Sequence, residues 1–182
     1  MMREYKIVVL GPMGAGKSTL VQALAQGRAV STEVCNTDPD IDKPLTTVAM
    51  DYGDIDLPGG SRLRLSGTPG QIRFAFLWPI LLEGASGAIL LVNASEGEPA
   101  AQVSAHLEAL EHYSAHLPVV ICLTRLDSAS AEHVAACEAW LHAYPEPLPA
   151  LALDPRDPQQ VLTVMDVLMS QIECLALVED DA

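Results

Sequence analysis

The stretch Gly11-Pro-Met-Gly-Ala-Gly-Lys-Ser-Thr19 decides the fold. It follows Tyr5-Lys-Ile-Val-Val-Leu10, a short apolar run with β-branched residues, and precedes Leu20-Val-Gln-Ala-Leu-Ala-Gln26, which reads as a helix. The pattern G-x-x-x-x-G-K-S between a strand and a helix is that of a phosphate-binding loop. Gly11, Gly14 and Gly16 let the backbone turn tightly enough for N–H groups, those of Met13, Ala15 and Thr19 among them, to wrap a phosphate. Lys17 has the reach for β and γ phosphates, and the Ser18 hydroxyl suits Mg²⁺. The helix that opens here adds its positive N-terminal dipole. The plainer alternative is a Gly-rich turn with a chance Lys-Ser, which leaves the flanking strand and helix unexplained.

Strand-like and helix-like segments alternate outward from this loop. The pattern predicts strands at 5–10, 47–53, 62–66, 87–93, 117–123 and 149–153, and helices at 17–26, 71–83, 98–114, 130–143 and 158–177. Gly87-Ala-Ile-Leu-Leu-Val92 and Pro118-Val-Val-Ile-Cys-Leu123 are almost wholly apolar, as central parallel strands buried on both faces are. The segments 47–53 and 62–66 flank Asp56-Leu-Pro-Gly-Gly-Ser61, a turn signal, and read as an antiparallel hairpin. The expected fold is α/β: a doubly wound, six-stranded, mostly parallel sheet with one antiparallel edge strand and helices on both faces. Residues 28–46 lack periodicity and carry Glu33, Asp38, Asp40, Asp42 and Pro44. A loop of that length in a compact domain is usually functional. Its acidic residues either steer a basic partner or are simply solvated.

Composition bounds the reading. A chain of 182 residues with 49% hydrophobic and 19% charged residues suits one domain, 1–182, with a full core. A net charge of −14 argues against nucleic acid or an anionic membrane as a direct partner. A phosphate site must then be a local positive spot on an acidic protein. Cys35, Cys122, Cys137 and Cys174 show no metal-ligand spacing, and Cys122 reads as a small buried hydrophobe. A reducing cytoplasm is expected. Neither a lipidation signal at the termini nor an apolar stretch of membrane-span length is expected from the sequence.

Gly67-Thr-Pro-Gly-Gln-Ile-Arg73 follows the strand Leu63-Arg-Leu-Ser66. Here the chain resembles the Ras-like small GTPases, whose corresponding box is D-x-x-G-Q. The resemblance implies that Gly70 senses the γ-phosphate and Gln71 orients the attacking water. Gly67 stands where the family has an aspartate that helps hold Mg²⁺ through water. That departure leaves Ser18 and a switch threonine as the evident protein ligands. Thr47-Val-Ala-Met-Asp-Tyr52 resembles the T-I-G-V-D-F segment of Rab-like members. It implies Thr47 as that threonine, with Thr46 as the alternative. Leu123-Thr-Arg-Leu-Asp127 stands where the family carries N/T-K-x-D. There Asp127 would accept guanine N1–H and the N2 amino group, Thr124 would take the Asn/Thr role, and Arg125 would stack over the base. Leu151-Ala-Leu-Asp-Pro-Arg156 replaces S-A-K. Pro155 has no N–H to offer guanine O6, so either Arg156 donates or the loop is shifted. T-T-V-A-M-D-Y with G-T-P-G-Q-x-R-F is similar to the bacterial MglA-like and conservon-type subgroup, which implies roadblock-fold partners.

The resemblance implies a switch that binds GTP or GDP with Mg²⁺, using Lys17 and Gln71 for hydrolysis and segments 28–47 and 70–82 for effectors. Slow turnover is expected. The phosphate loop holds no arginine, Met13 crowds the γ-phosphate, and Arg28 and Arg73 are either internal fingers or surface residues. Phe74, Phe76 and Trp78 cannot all point the same way on one helix. Either one is displayed to a partner, or all are core. The competing readings are a nucleotide-bound scaffold with little hydrolysis and, from the shared phosphate loop, a small-molecule kinase. No lid with clamping arginines is visible for the kinase.

Overall fold

Among the described residues, seven strands join in one sheet in the order β2-β3-β4-β1-β5-β6-β7. They belong to a computed structural model that describes residues 3–25, 30–32, 50–57, 59–70, 76–114, 116–145 and 147–180. The strands are β1 (Glu4–Leu10), β2 (Val30–Thr32), β3 (Met50–Asp56), β4 (Arg62–Gly67), β5 (Gly87–Asn93), β6 (Val119–Thr124) and β7 (Ala150–Ala152). The helices are α1 (Lys17–Leu24), α2 (Trp78–Leu82), α3 (Pro99–Tyr113), α4 (Ala131–Ala143) and α5 (Pro158–Asp180). β1, β4, β5, β6 and β7 run parallel, while β3 is antiparallel to β4. All six expected strands are present, and the hairpin is β3–β4. The difference is β2, a three-residue strand antiparallel to β3 that takes the edge. Val-Ser-Thr is too short a run to show alternation.

Alternation on the central strands builds a core on each face. Ile7, Val9, Ile89, Leu91, Val120 and Cys122 face α1 and α5, where Leu20, Val21, Val161, Val164 and Leu168 meet them. Val8, Leu10, Leu90, Val92 and Ile121 face Trp78, Val103, Leu107, Leu110 and Cys137 on α2, α3 and α4. Cys122 is fully buried, which pushes its thiol up to about 12. α5 requires one correction to the sequence reading. Over 158–178 it is long and apolar enough to cross a membrane, with mean hydropathy 1.8. Asp166 and Glu173 break its apolar run at single positions, so no uninterrupted apolar stretch marks it in the sequence. In the structure one side of this helix packs on the sheet through Val161, Val164, Met165 and Leu168.

β1 and β5 are neighbours, and the connection after β1 runs toward β2 at one edge while that after β5 runs toward β6 on the other side. Open α/β sheets form their ligand crevice outside the carboxyl ends of strands at such a point. The segments after β1, β4, β5, β6 and β7 therefore converge there.

Candidate functional site

The segment between β1 and α1 can be built only with glycines at two of its turns. Gly11 has φ +139°, and a β-carbon there would lie 2.3 Å from the Leu91 carbonyl oxygen. Gly16 has φ +99°, and a β-carbon there would lie 2.7 Å from Pro155 Cγ. Gly16 also caps α1 without a side-chain hydrogen bond. Gly16 thus leaves the first-turn N–H groups of the helix without a capping side chain, as an anion site requires.

Lys17 is 9% exposed, and its ammonium donates to the carbonyls of Gly11 (2.8 Å) and Pro12 (2.7 Å). Burial pulls its pKa down to about 8, and the nearby Asp51 carboxylate opposes that pull. Gly70 sits directly over this arrangement. A β-carbon on it would fall 2.6 Å from the Met13 nitrogen and 2.7 Å from Lys17 Nζ. Only a glycine allows the segment after β4 to approach the loop so closely. Thr68 fixes that segment, since its N–H (2.8 Å) and its hydroxyl (3.2 Å) both donate to Val9 O.

Sequence reasoning missed Asp51. It is 5% exposed on β3, and the Ser18 hydroxyl donates to its Oδ2 at 2.5 Å. Its signal in the sequence is a carboxylate inside a strand, in Met50-Asp51-Tyr52.

The far end of the crevice is a cleft of about 380 Å³. Ala15, Gly16 and Thr19 line one side, and Thr124, Arg125, Asp127, Pro155 and Arg156 line the other. The structure therefore brings together the residues expected for phosphate and for base. Thr124 is buried, with its hydroxyl donating to Val92 O at 3.1 Å, so it ties β6 to β5. Arg125 follows with φ +60°, an uncommon conformation for a residue with a β-carbon. The turn it makes sets Asp127 at the cleft. Arg156 folds back on Asp154, with Nε donating to Oδ1 and an Nη to Oδ2, both at 2.8 Å. Those bonds hold the Asp154 carboxyl at about 2, and Asp127 adds to the field that raises the Arg156 pKa. The Arg156 N–H also donates to Asp154 Oδ1, at 2.9 Å.

Below the loop after β4, α2 is only five residues long. Trp78 is 2% exposed and stacks on His106 of α3, ring centroids 5.3 Å apart. Phe76 and Ile80 are each 67% exposed. Trp78 is thus core and Phe76 is displayed. Phe74 lies outside the described residues, as do Arg28, Glu33, Asp38, Asp40, Asp42, Thr46, Thr47, Gln71 and Arg73.

The sequence profile of a family described as "conserved hypothetical ATP binding protein" matches residues 41–179. The chain belongs to this family. The match begins beyond the phosphate loop, so residues 11–19 add to it independently. A curated relative, the uncharacterized protein MJ1339 of Methanocaldococcus jannaschii, is 34% identical over 94 residues. That alignment covers 52% of this chain and 54% of the relative, so the chain matches about half the relative's length. Among solved structures, translation elongation factor SelB of Methanococcus maripaludis, in complex with the GTP analogue GppNHp, superimposes with a TM-score of 0.68. The likeness covers 94% of this chain and 34% of that one at 16% identity. It establishes the fold: this member of the family is a P-loop NTPase in architecture, with the nucleotide-binding loop in place.

Proposed function

We propose that the chain is a guanine-nucleotide switch of the Ras-like, MglA-related kind, a single G domain over 1–182 that works in the cytoplasm. It binds GTP or GDP with Mg²⁺, hydrolyses GTP slowly, and signals through partner proteins. The observation that carries the base assignment is Asp127, placed in one cleft with Gly16 and Thr19 of the phosphate loop. A carboxylate there accepts two N–H groups from guanine, a donor pair that adenine lacks. The family's description names ATP, so the choice of base is the point to test.

Each residue's work follows from its place. Lys17, released from the carbonyls of Gly11 and Pro12, neutralises the β and γ phosphates. Mg²⁺ is implied by the phosphate chemistry, and the donors present fit it. The Ser18 hydroxyl and the buried Asp51 carboxylate are hard oxygen groups beside the loop. When bound, the ion would neutralise charge developing between the β and γ phosphates. Thr47 would add a ligand and Gln71 would position water. Turnover is slow because the loop supplies no arginine, and Met13, 69% exposed at its tip, stands in the way of one from outside. A roadblock-fold partner acting on segments 28–47 and 70–82 would meet the exposed Phe76 and Ile80, since large aromatics serve as interface anchors.

A second reading, a nucleotide-holding scaffold without turnover, draws on Pro155 and on the Arg156 N–H already given to Asp154. The test begins with binding of fluorescent GDP, GTP and ATP analogues, with and without Mg²⁺. Tight guanine binding with ATP excluded is expected, and equal ATP binding would overturn the base assignment. Single-turnover hydrolysis, lost in Gln71→Leu, separates switch from scaffold.

A further inference from the structure

A buried carboxylate ordinarily has a counter-charge. Asp51 is 5% exposed, yet among the described residues it forms no ion pair within 4 Å. Lys17, which feels the Asp51 charge, spends its ammonium on two carbonyls. The hydrogen bond Asp51 does have comes from Ser18, the loop hydroxyl at the start of α1. The β3–β4 register pairs Tyr52 with Ser66, and its next step sets Asp51 opposite Gly67. Gly67 leaves room for it: a β-carbon there would press on Asp51 at 3.3 Å from its Cβ and 3.5 Å from Oδ2. The glycine and the aspartate are thus one feature, a carboxylate delivered from β3 into space that β4 vacates.

An anion in this position repels phosphate unless a cation comes between them. Among the described residues no three His, Cys, Asp or Glu side chains gather where they could hold an ion alone. An ion here must share its ligands with phosphate, which is how Mg²⁺ is usually bound. We infer that Asp51, with Ser18, holds the Mg²⁺ that accompanies the nucleotide, and that Gly67 is small so that it can. The inference rests on the nucleotide-switch reading above.

The distinguishing consequence is a change of sign. With Mg²⁺ present Asp51 helps retain nucleotide, and without Mg²⁺ it drives nucleotide off. The experiment follows release of methylanthraniloyl-GDP from the full chain across a Mg²⁺ titration and in EDTA. In Asp51→Asn the Mg²⁺ concentration for half-maximal retention should rise about 10–100-fold, the usual effect of losing a group that supports a metal. In EDTA the same variant should release more slowly than the parent. The double variant Asp51→Ala with Gly67→Asp, which returns the carboxylate to β4, should regain part of the Mg²⁺ response. If Asp51→Asn does not fold, Mn²⁺ broadening of the Asp51 amide resonance in the nucleotide-loaded parent replaces it. An unchanged half-point in Asp51→Asn, faster release in EDTA, or no broadening at Asp51 would overturn the inference while the switch reading stands. A parent protein that holds no labelled nucleotide would overturn both.

Discussion

Burying an ammonium against two carbonyls loads the empty protein with a cost that a phosphate relieves. Lys17 has fallen from 10.5 to about 8, which amounts to roughly 3 kcal/mol against its charged form. The native value lies below the unfolded one, so between about pH 8 and 10.5 the unfolded chain holds the proton more tightly. Stability should therefore rise with pH across that window. Lys17→Met should abolish that rise and tight nucleotide binding together. It should also stabilise the empty protein by about 1–2 kcal/mol, the gain being reduced by the two carbonyls left without a donor. Denaturant melts of both proteins at pH 7.5 and 10 check this, and a destabilised Lys17→Met would contradict it. Arg125 carries a similar burden in its backbone. At φ +60° a β-carbon costs about 1 kcal/mol or more, which glycine avoids. Arg125→Gly should leave stability level or raise it by up to about 1 kcal/mol while weakening nucleotide binding, both measurable on one preparation. At this scale the sequence was readable wherever a residue works within its own motif. Lys17, Ser18 and Asp127 stand where their motifs put them. Asp51 escaped because its role depends on a cross-strand neighbour, and register is a tertiary fact that no local pattern carries.

Between elements, α2 and α3 meet through the Trp78–His106 stack. His106 Nδ1 lies 2.7 Å from the Gln102 carbonyl oxygen and donates to it, which fixes the proton of the neutral ring on Nδ1. Burial lowers its pKa, the Gln102 bond opposes this, and the Lys17 charge lowers it further. The folded value is depressed for a base, so its contribution is intact above the unfolded value of about 6.5. It is lost as pH falls below that, because the unfolded chain takes up a proton that the native ring resists. The expected slope reaches at most about 1.4 kcal/mol per pH unit. His106→Phe should flatten stability between pH 6.5 and 5, and Trp78 emission, read in a Trp140→Phe background, should report the melting of α2 first. An equal slope in His106→Phe would remove His106 from the account. The elements themselves were legible because their signals are redundant. β5 and β6 are continuous apolar runs ended by polar residues, and α3 begins at Pro99 and α4 at the Ser130 cap. The shortfalls are the places with one signal or none. β2 has three described residues, and α2 has only five with Pro79 in its first turn.

For the whole molecule, a net charge of −14 and an anionic ligand set the terms. Like charges destabilise the compact state, so the empty protein should gain in melting temperature as KCl rises from low ionic strength, where screening is weakest. Nucleotide acts on the same equilibrium by a different route, since it binds the folded state and not the unfolded one. At a hundredfold excess over Kd it adds about 2.7 kcal/mol. For a domain of this size that corresponds to a rise of roughly 5–10 °C. The two effects separate by design. The salt effect should appear without nucleotide and saturate once surface charges are screened. The nucleotide effect should require Mg²⁺, since phosphate otherwise meets the Asp51 carboxylate without a cation between them. It should be produced by GDP and GTP and not by ATP, because only guanine offers Asp127 two N–H groups. Asp127→Asn should then lose the rise with guanine nucleotides while its own melting temperature in KCl stays near the parent's, Asp127 being exposed at the cleft rather than part of either core face. A melting shift with ATP equal to that with GTP would place base recognition elsewhere in the cleft and remove Asp127 as the reader of the base.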